Sequence, residues 1–149
     1  MNDIHTKPAK NNYLILSEYG SRLNLSFSSH LTLGNKIIAL DGLQRFLLVL
    51  DTTNARRPSV IDLNKVAAVT IKKSYGSIPH EEWKNKGIEE FLQHVELRFH
   101  FFDQGEEFVL PFYEVGTDHP SARTRLEKNA EKWQQLLSKM LKPAPKTNH

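Results

Sequence analysis

Cysteine is missing from all 149 positions, which excludes a disulfide framework, a thiolate metal site and a cysteine nucleophile together. Glycine and proline are sparse, seven of each, so a collagen-like or low-complexity chain is excluded as well. Long apolar runs are lacking too. Tyr13 to Leu16 and Phe46 to Leu50 fall far short of the roughly 20 residues a helix needs to cross a bilayer. The opening residues MNDIHTKPAKNN hold no apolar h-region and no small-residue cleavage site, and a cytoplasmic setting is expected. There is no G-x-S-x-G elbow, no Gly-rich phosphate loop and no H-E-x-x-H, so no enzyme, cofactor or metal centre is expected.

What is present is an ordinary soluble globular composition, 39% hydrophobic and 25% charged, at a length that suits one domain. Polar, aperiodic ends bound that domain at residues 13–141, leaving 1–12 and 142–149 as expected mobile segments. The net charge of +3 is unevenly spread. Residues 13–118 carry −3, whereas 119–141 carry +3, so the basic character belongs to the C-terminal segment and not to a surface wrapped around the whole chain.

Hydrophobic periodicity predicts about seven strands and one helix. Leu23, Leu25 and Phe27 alternate with Asn24, Ser26 and Ser28, the period of a half-buried strand. The segment before it, Tyr13 to Gly20, lacks a decisive period and reads as a helix or a further strand. Lys36 to Asp41 and Gln44 to Asp51 form a hairpin, with Asp41-Gly42 supplying the positive φ of its turn. Val60 to Leu63 resumes strand character. Val66 to Lys73 follows, placing Ala67, Val69 and Ile71 on one face and Ala68, Thr70 and Lys72 on the other. After the polar excursion Ser74 to Leu92, a second hairpin aligns Val95, Leu97, Phe99 and Phe101 with Phe108, Leu110 and Phe112.

From Pro120 to Leu141 the period turns helical: Leu126, Ala130, Trp133, Leu136, Leu137, Met140 and Leu141 share a stripe, with Asp118 as the expected cap. The fold class is therefore α+β, an antiparallel β sandwich or partly open barrel of about seven strands capped by a C-terminal amphipathic helix.

This order resembles the pleckstrin-homology-like (PH-like) fold. A narrower resemblance, to a small bacterial family of PH-like proteins, rests on KIIALDGLQRFLLVLD at 36–51, VIDLNKVAAV at 60–69, LPFYE at 110–114 and AEKWQQLL at 130–137. It spans roughly residues 13–141 and implies a fold without an established activity. Some family members carry an N-terminal membrane anchor; residues 1–12 read as no such segment, so membrane proximity is not an expectation carried over from the family. PH domains that bind phosphoinositides place several bases around the loop joining the first two strands. Here that loop, taken as Ser28 to Lys36, offers only His30 and Lys36, so a phosphoinositide is not the expected ligand.

Candidate contact residues are few. Arg125, Lys128, Lys132 and Lys139 lie together beside the apolar helix stripe, with Glu127, Glu131 and Ser138 on its other side. Such a face suits an anionic lipid, a nucleic acid or an acidic partner; the plainer account is a solvated surface. Arg56-Arg57 and Lys72-Lys73 are doublets explained by surface solubility. Trp133 belongs to packing, whereas Trp83 sits in the polar excursion as a candidate binding aromatic. Asp41, Asp51 and Asp62 are read as turn residues rather than acid-base groups. His94 and His100 share a strand face but lie about 20 Å apart along a straight strand, too far for one metal. His80 beside Glu81 and Glu82 lacks metal-ligand spacing. The leading expectation is a non-catalytic module binding a protein or peptide through a strand edge or the Ser74–Leu92 excursion. Anionic lipid or nucleic-acid binding through the helix is the alternative.

Overall fold

The computed structural model describes residues 8–52, 58–77, 91–103 and 107–141. The protein is α+β: helix α1 (Pro8–Leu23), strands β1 (Ser29–Leu33), β2 (Lys36–Asp41), β3 (Phe46–Asp51), β4 (Ser59–Asp62), β5 (Val66–Tyr75), β6 (Leu92–Phe101) and β7 (Glu107–Glu114), then helix α2 (Arg123–Met140). Pairing is antiparallel throughout, in one sheet ordered β1-β2-β3-β4 and another ordered β5-β6-β7. Neither sheet closes on itself. By its backbone contacts the chain divides into two compact units, Met1–Asn64 and Lys65–His149. Among the described residues no helix is long and apolar enough to cross a membrane.

In the first unit, α1 begins upstream of residue 13, with Pro8 in the first turn where a missing N–H costs nothing. Leu16 packs with Ile37, Ala39, Leu48 and Leu50, and Ile15, Tyr19 and Phe27 close around them. The strand expected at Leu23 to Ser28 is absent, because a helix C-cap occupies it. Asn24 takes φ 59°, its N–H reaches Ser21 O at 3.3 Å and the Leu25 N–H reaches Gly20 O at 2.7 Å. That pair of bonds satisfies the last carbonyls of the helix, with Asn in the left-handed position. The first strand lies further on, inside the segment assigned to a loop. Leu33 pairs with Lys36 across a two-residue turn, Gly34-Asn35, in which Gly34 supplies φ 50°. The connection between the first two strands therefore holds no cation of its own.

The β2–β3 hairpin forms as expected, but its positive φ falls on Arg45 (64°) and not on Gly42. Asp41 organises this turn. Its Oδ1 accepts from the N–H groups of Leu43 and Gln44 at 3.0 and 2.9 Å, while Oδ2 accepts from Ser26 N at 2.8 Å and Gln44 Nε2 at 3.2 Å. One carboxylate thus ties the connection after α1 to the hairpin. Asp41 is only 1% exposed. Burial works against its charged form, but the donors at Gln44, Ser26 and Leu43 outweigh it and hold the carboxyl below the usual carboxylate range. Asp62 plays a smaller version of the same part, accepting from Asn64 N and Nδ2 at 3.0 and 2.9 Å.

In the second unit, β6 buries Leu92, Val95, Leu97 and Phe99, and β7 buries Leu110, Phe112 and Tyr113. Two irregularities alter the expected faces. On β5 the register passes from Val66↔Phe101 to Ala68↔His100, so Ala67 is the inserted residue of a bulge. Alternation shifts by one there: Val66 and Val69 are buried while Ala67, expected inside, is exposed. On β7, Val95↔Tyr113 is followed by Glu96↔Pro111, which lets the adjacent Phe112 and Tyr113 both turn inward. Asp118 does not cap α2. Its Oδ2 accepts from Glu114 N at 2.8 Å and closes the turn after β7, whereas His119 Nδ1 accepts from Ser121 N at 3.0 Å at the start of the 3-10 turn Pro120–Ala122.

Asp41→Ala deletes an acceptor of four hydrogen bonds inside a buried turn and is expected to lower unfolding stability by about 2–4 kcal/mol at pH 7. Because the folded pKa is depressed, the contribution of the charge is complete above the unfolded-chain value of about 4 and disappears as pH falls through the folded value. Urea unfolding at pH 7 and at about pH 2 should therefore show a gap between Asp41→Ala and the parent that narrows in acid.

Candidate functional site: the outer face of the C-terminal helix

The rotation of α2 about its axis is set by what it buries. Leu126, Ala130, Trp133 and Leu137 are buried where the helix meets β5, β6 and β7. Trp133 is thus a packing residue, as expected; Leu136, Met140 and Leu141, assigned to the same stripe, are only half-buried. At about 100° per residue the four buried positions span roughly 60° of the helix, too narrow an arc to include Leu136.

Polar contacts fix the edge of this face. Gln134 Nε2 donates to Val69 O on β5 at 2.8 Å. Lys73 Nζ lies 2.8 Å from both Glu127 Oε2 and Glu131 Oε2. Lys73 is therefore a strut between sheet and helix, a correction to its reading as half of a solvated doublet; its neighbour Lys72 is exposed. Hydrogen bonds to Glu127 and Glu131 raise the Lys73 pKa well above the ordinary lysine range, against the opposing effect of burial. The spacing of Glu127 and Glu131, one turn apart, carried the information that both could grip one cation. Lys73 continues the Val69–Ile71 face of β5 by strict alternation, but its position beneath the two acids was not legible, because it depends on where α2 crosses the strand.

With both acids of α2 engaged, four of its five bases stand on another side. Arg125, Lys128, Lys132 and Lys139 are all exposed, and within the described residues none of them forms a salt bridge. They occupy an arc of roughly 60°, centred about 140° from the buried stripe. The structure thus brings together the four helix candidates named from sequence. Arg56, Arg57 and Trp83 lie outside the described residues, as do His80, Glu81 and Glu82.

A second polar cluster lies on β5, β6 and β7. Thr70 Oγ1 is 2.9 Å from His100 Nε2, and His100 Nδ1 is 3.2 Å from Glu107 Oε2. Hydroxyl, imidazole and carboxylate follow one another in the order of nucleophile, base and orienting group. They stand on a sheet face, however, where backbone N–H groups lie in the plane of the sheet and point toward neighbouring strands. Such a surface presents no backbone donors to a developing oxyanion, and the nearby Arg98 guanidinium is engaged by Glu96. The cluster reads as cross-strand bracing, beside a pair within β6, Arg98 Nε on Glu96 Oε2 at 2.8 Å. Among the described residues no group of three His, Asp or Glu side chains could hold a metal ion.

Comparison of the chain with protein-family models, with curated proteins and with solved structures finds no match.

Lys73→Met removes the cation and leaves Glu127 and Glu131 facing each other. Since both partners keep contact with solvent, the expected loss is about 1 kcal/mol, shrinking at high salt. The stabilisation from Lys73 is complete below the unfolded lysine value of about 10.4 and is lost as pH climbs through the raised folded value. Thermal unfolding of parent and variant at two salt concentrations measures the loss; equal stability at low salt contradicts the strut.

Proposed function

We propose that this protein is a non-catalytic interaction module of PH-like architecture that binds an acidic protein or peptide partner through the exposed cationic face of α2. A four-strand antiparallel sheet, a three-strand antiparallel sheet and an amphipathic helix, in that chain order, support the PH-like reading. The binding reading rests on one observation: Arg125, Lys128, Lys132 and Lys139 share an exposed face while the acids of the same helix are held by Lys73. The positive potential of that face is consequently not cancelled by its own helix.

The composition of the face favours a protein over a bilayer or a nucleic acid. None of the exposed large apolar side chains, Tyr13, Leu14, Leu23, Leu43, Val60, Tyr75, Phe102, Val109 and Val115, belongs to α2. Membrane-surface helices bury an apolar face in the lipid, and single-stranded nucleic acids are held by aromatic platforms as well as by charge. Here the buried face is already occupied by the sheet. The connection between β1 and β2, Gly34-Asn35 with Lys36 beside it, likewise offers little to a phosphoinositide.

Isothermal titration with poly-glutamate at low salt tests this directly. Binding is expected, weakening steeply with added salt and abolished by Lys128→Glu combined with Lys132→Glu, with the circular dichroism melt unchanged. No binding at low salt, or binding indifferent to the double variant, overturns the proposal. Binding to phosphatidylserine vesicles or duplex DNA while poly-glutamate stays silent replaces it with the alternative.

A further inference from the structure

We infer, resting on that reading of the cationic face, that the partner segment is an acidic α-helix laid along α2 with its carboxylates at heptad spacing. The observation is the interval between the exposed positions. From Arg125 the row continues to Lys128, Lys132, Gln135 and Lys139, all exposed, in steps of three, four, three and four. A 3-4-3-4 repeat averages 3.5 residues, close to the helical 3.6, so these side chains form a nearly straight row drifting by only about 20° per heptad. Its length is about 21 Å. Four of the five positions are cationic, and Gln135 is the neutral one.

That spacing discriminates among anionic partners. The row advances by about 5.3 Å on average per position, the rise of 3.5 helical residues. A second helix with Glu or Asp at its own three-and-four positions repeats at the same interval and stays in step from end to end, as charged positions do between neighbouring helices of a coiled coil. An extended acidic peptide presents same-side carboxylates every 6.6–6.8 Å or so, and falls out of step after two or three contacts. A bilayer has no fixed interval at all. Flexible lysine side chains tolerate part of this mismatch, so spacing acts as a preference among acidic partners and charge sets the attraction.

Two synthetic peptides of equal composition supply the test: one with Glu at three-and-four positions in an Ala/Gln background, the other with the same residues in an order that breaks the repeat. At low salt the heptad peptide is expected to bind several-fold more tightly and to gain helical circular dichroism on mixing. Gln135→Lys completes the row and should tighten binding several-fold further, whereas Thr32→Lys, the same added charge on β1, should not. The inference is overturned if the two peptides bind alike, if Gln135→Lys does no more than Thr32→Lys, or if duplex DNA binds more tightly than the heptad peptide. Equal binding of both peptides leaves the cationic-face reading standing; binding of neither removes that reading as well.

Discussion

Everything on the outer side of α2 follows from the burial of Leu126, Ala130, Trp133 and Leu137 on its inner side. A fully buried Leu contributes about 1.5–3 kcal/mol and a buried aromatic a comparable or larger amount. The Lys73 strut, partly open to solvent, contributes about 1 kcal/mol at most. Apolar packing therefore decides which way the helix faces, and the ion pairs decide only how firmly its edge is held. Once that rotation is fixed, helical geometry leaves Arg125, Lys128, Lys132 and Lys139 no inward position, and their exposure is a consequence of packing elsewhere.

The same hierarchy explains how much was legible beforehand. Segments with one dominant period, β6, β7 and α2, were readable because a large apolar face leaves one way to bury itself. The β2–β3 hairpin was readable from its two apolar runs, and its strand ends match closely. Errors gathered where one residue changes the path. Leu23, Leu25 and Phe27 do alternate, but Asn24 adopts a left-handed conformation and two capping hydrogen bonds end the helix there, so the alternation has no strand to describe. At Ala67 an inserted residue puts Val66 inside and Ala67 outside, while Val69 and Ile71 keep the expected face, and no periodicity count anticipates that local exchange. Gly34-Asn35 was the missed turn signal: a glycine able to take positive φ in a two-residue connection is enough to make a hairpin.

For the candidate site, sequence revealed the charges but not their state. The wheel separates Arg125, Lys128, Lys132 and Lys139 from the acids of α2 correctly. It cannot show that Glu127 and Glu131 are held by a lysine more than fifty residues earlier, and that contact is what leaves the helix with an uncancelled positive face. Asp41 shows the reverse case. Its assignment to turn chemistry came from its position before Gly42, and the structure adds why the charge is needed: a neutral side chain could not accept from three backbone N–H groups and a carboxamide at once with the same strength.

The two charged assemblies of the second unit invite comparison, because only one of them has anything left to offer. On the sheet, Thr70, His100 and Glu107 are matched across strands and Glu96 with Arg98 along β6, at 2.8–3.2 Å, so each partner's field is largely cancelled locally. On α2 the cancellation is confined to one flank. A surface that has already satisfied its own charges gains little from a partner, which must first displace those contacts. A row of like charges gains from any partner that lowers its mutual repulsion, most from one whose charges arrive at the same interval. Exposed pairs are individually weak, and such a row consequently gives orientation and ionic-strength sensitivity before it gives affinity, the properties of a reversible contact rather than a permanent interface.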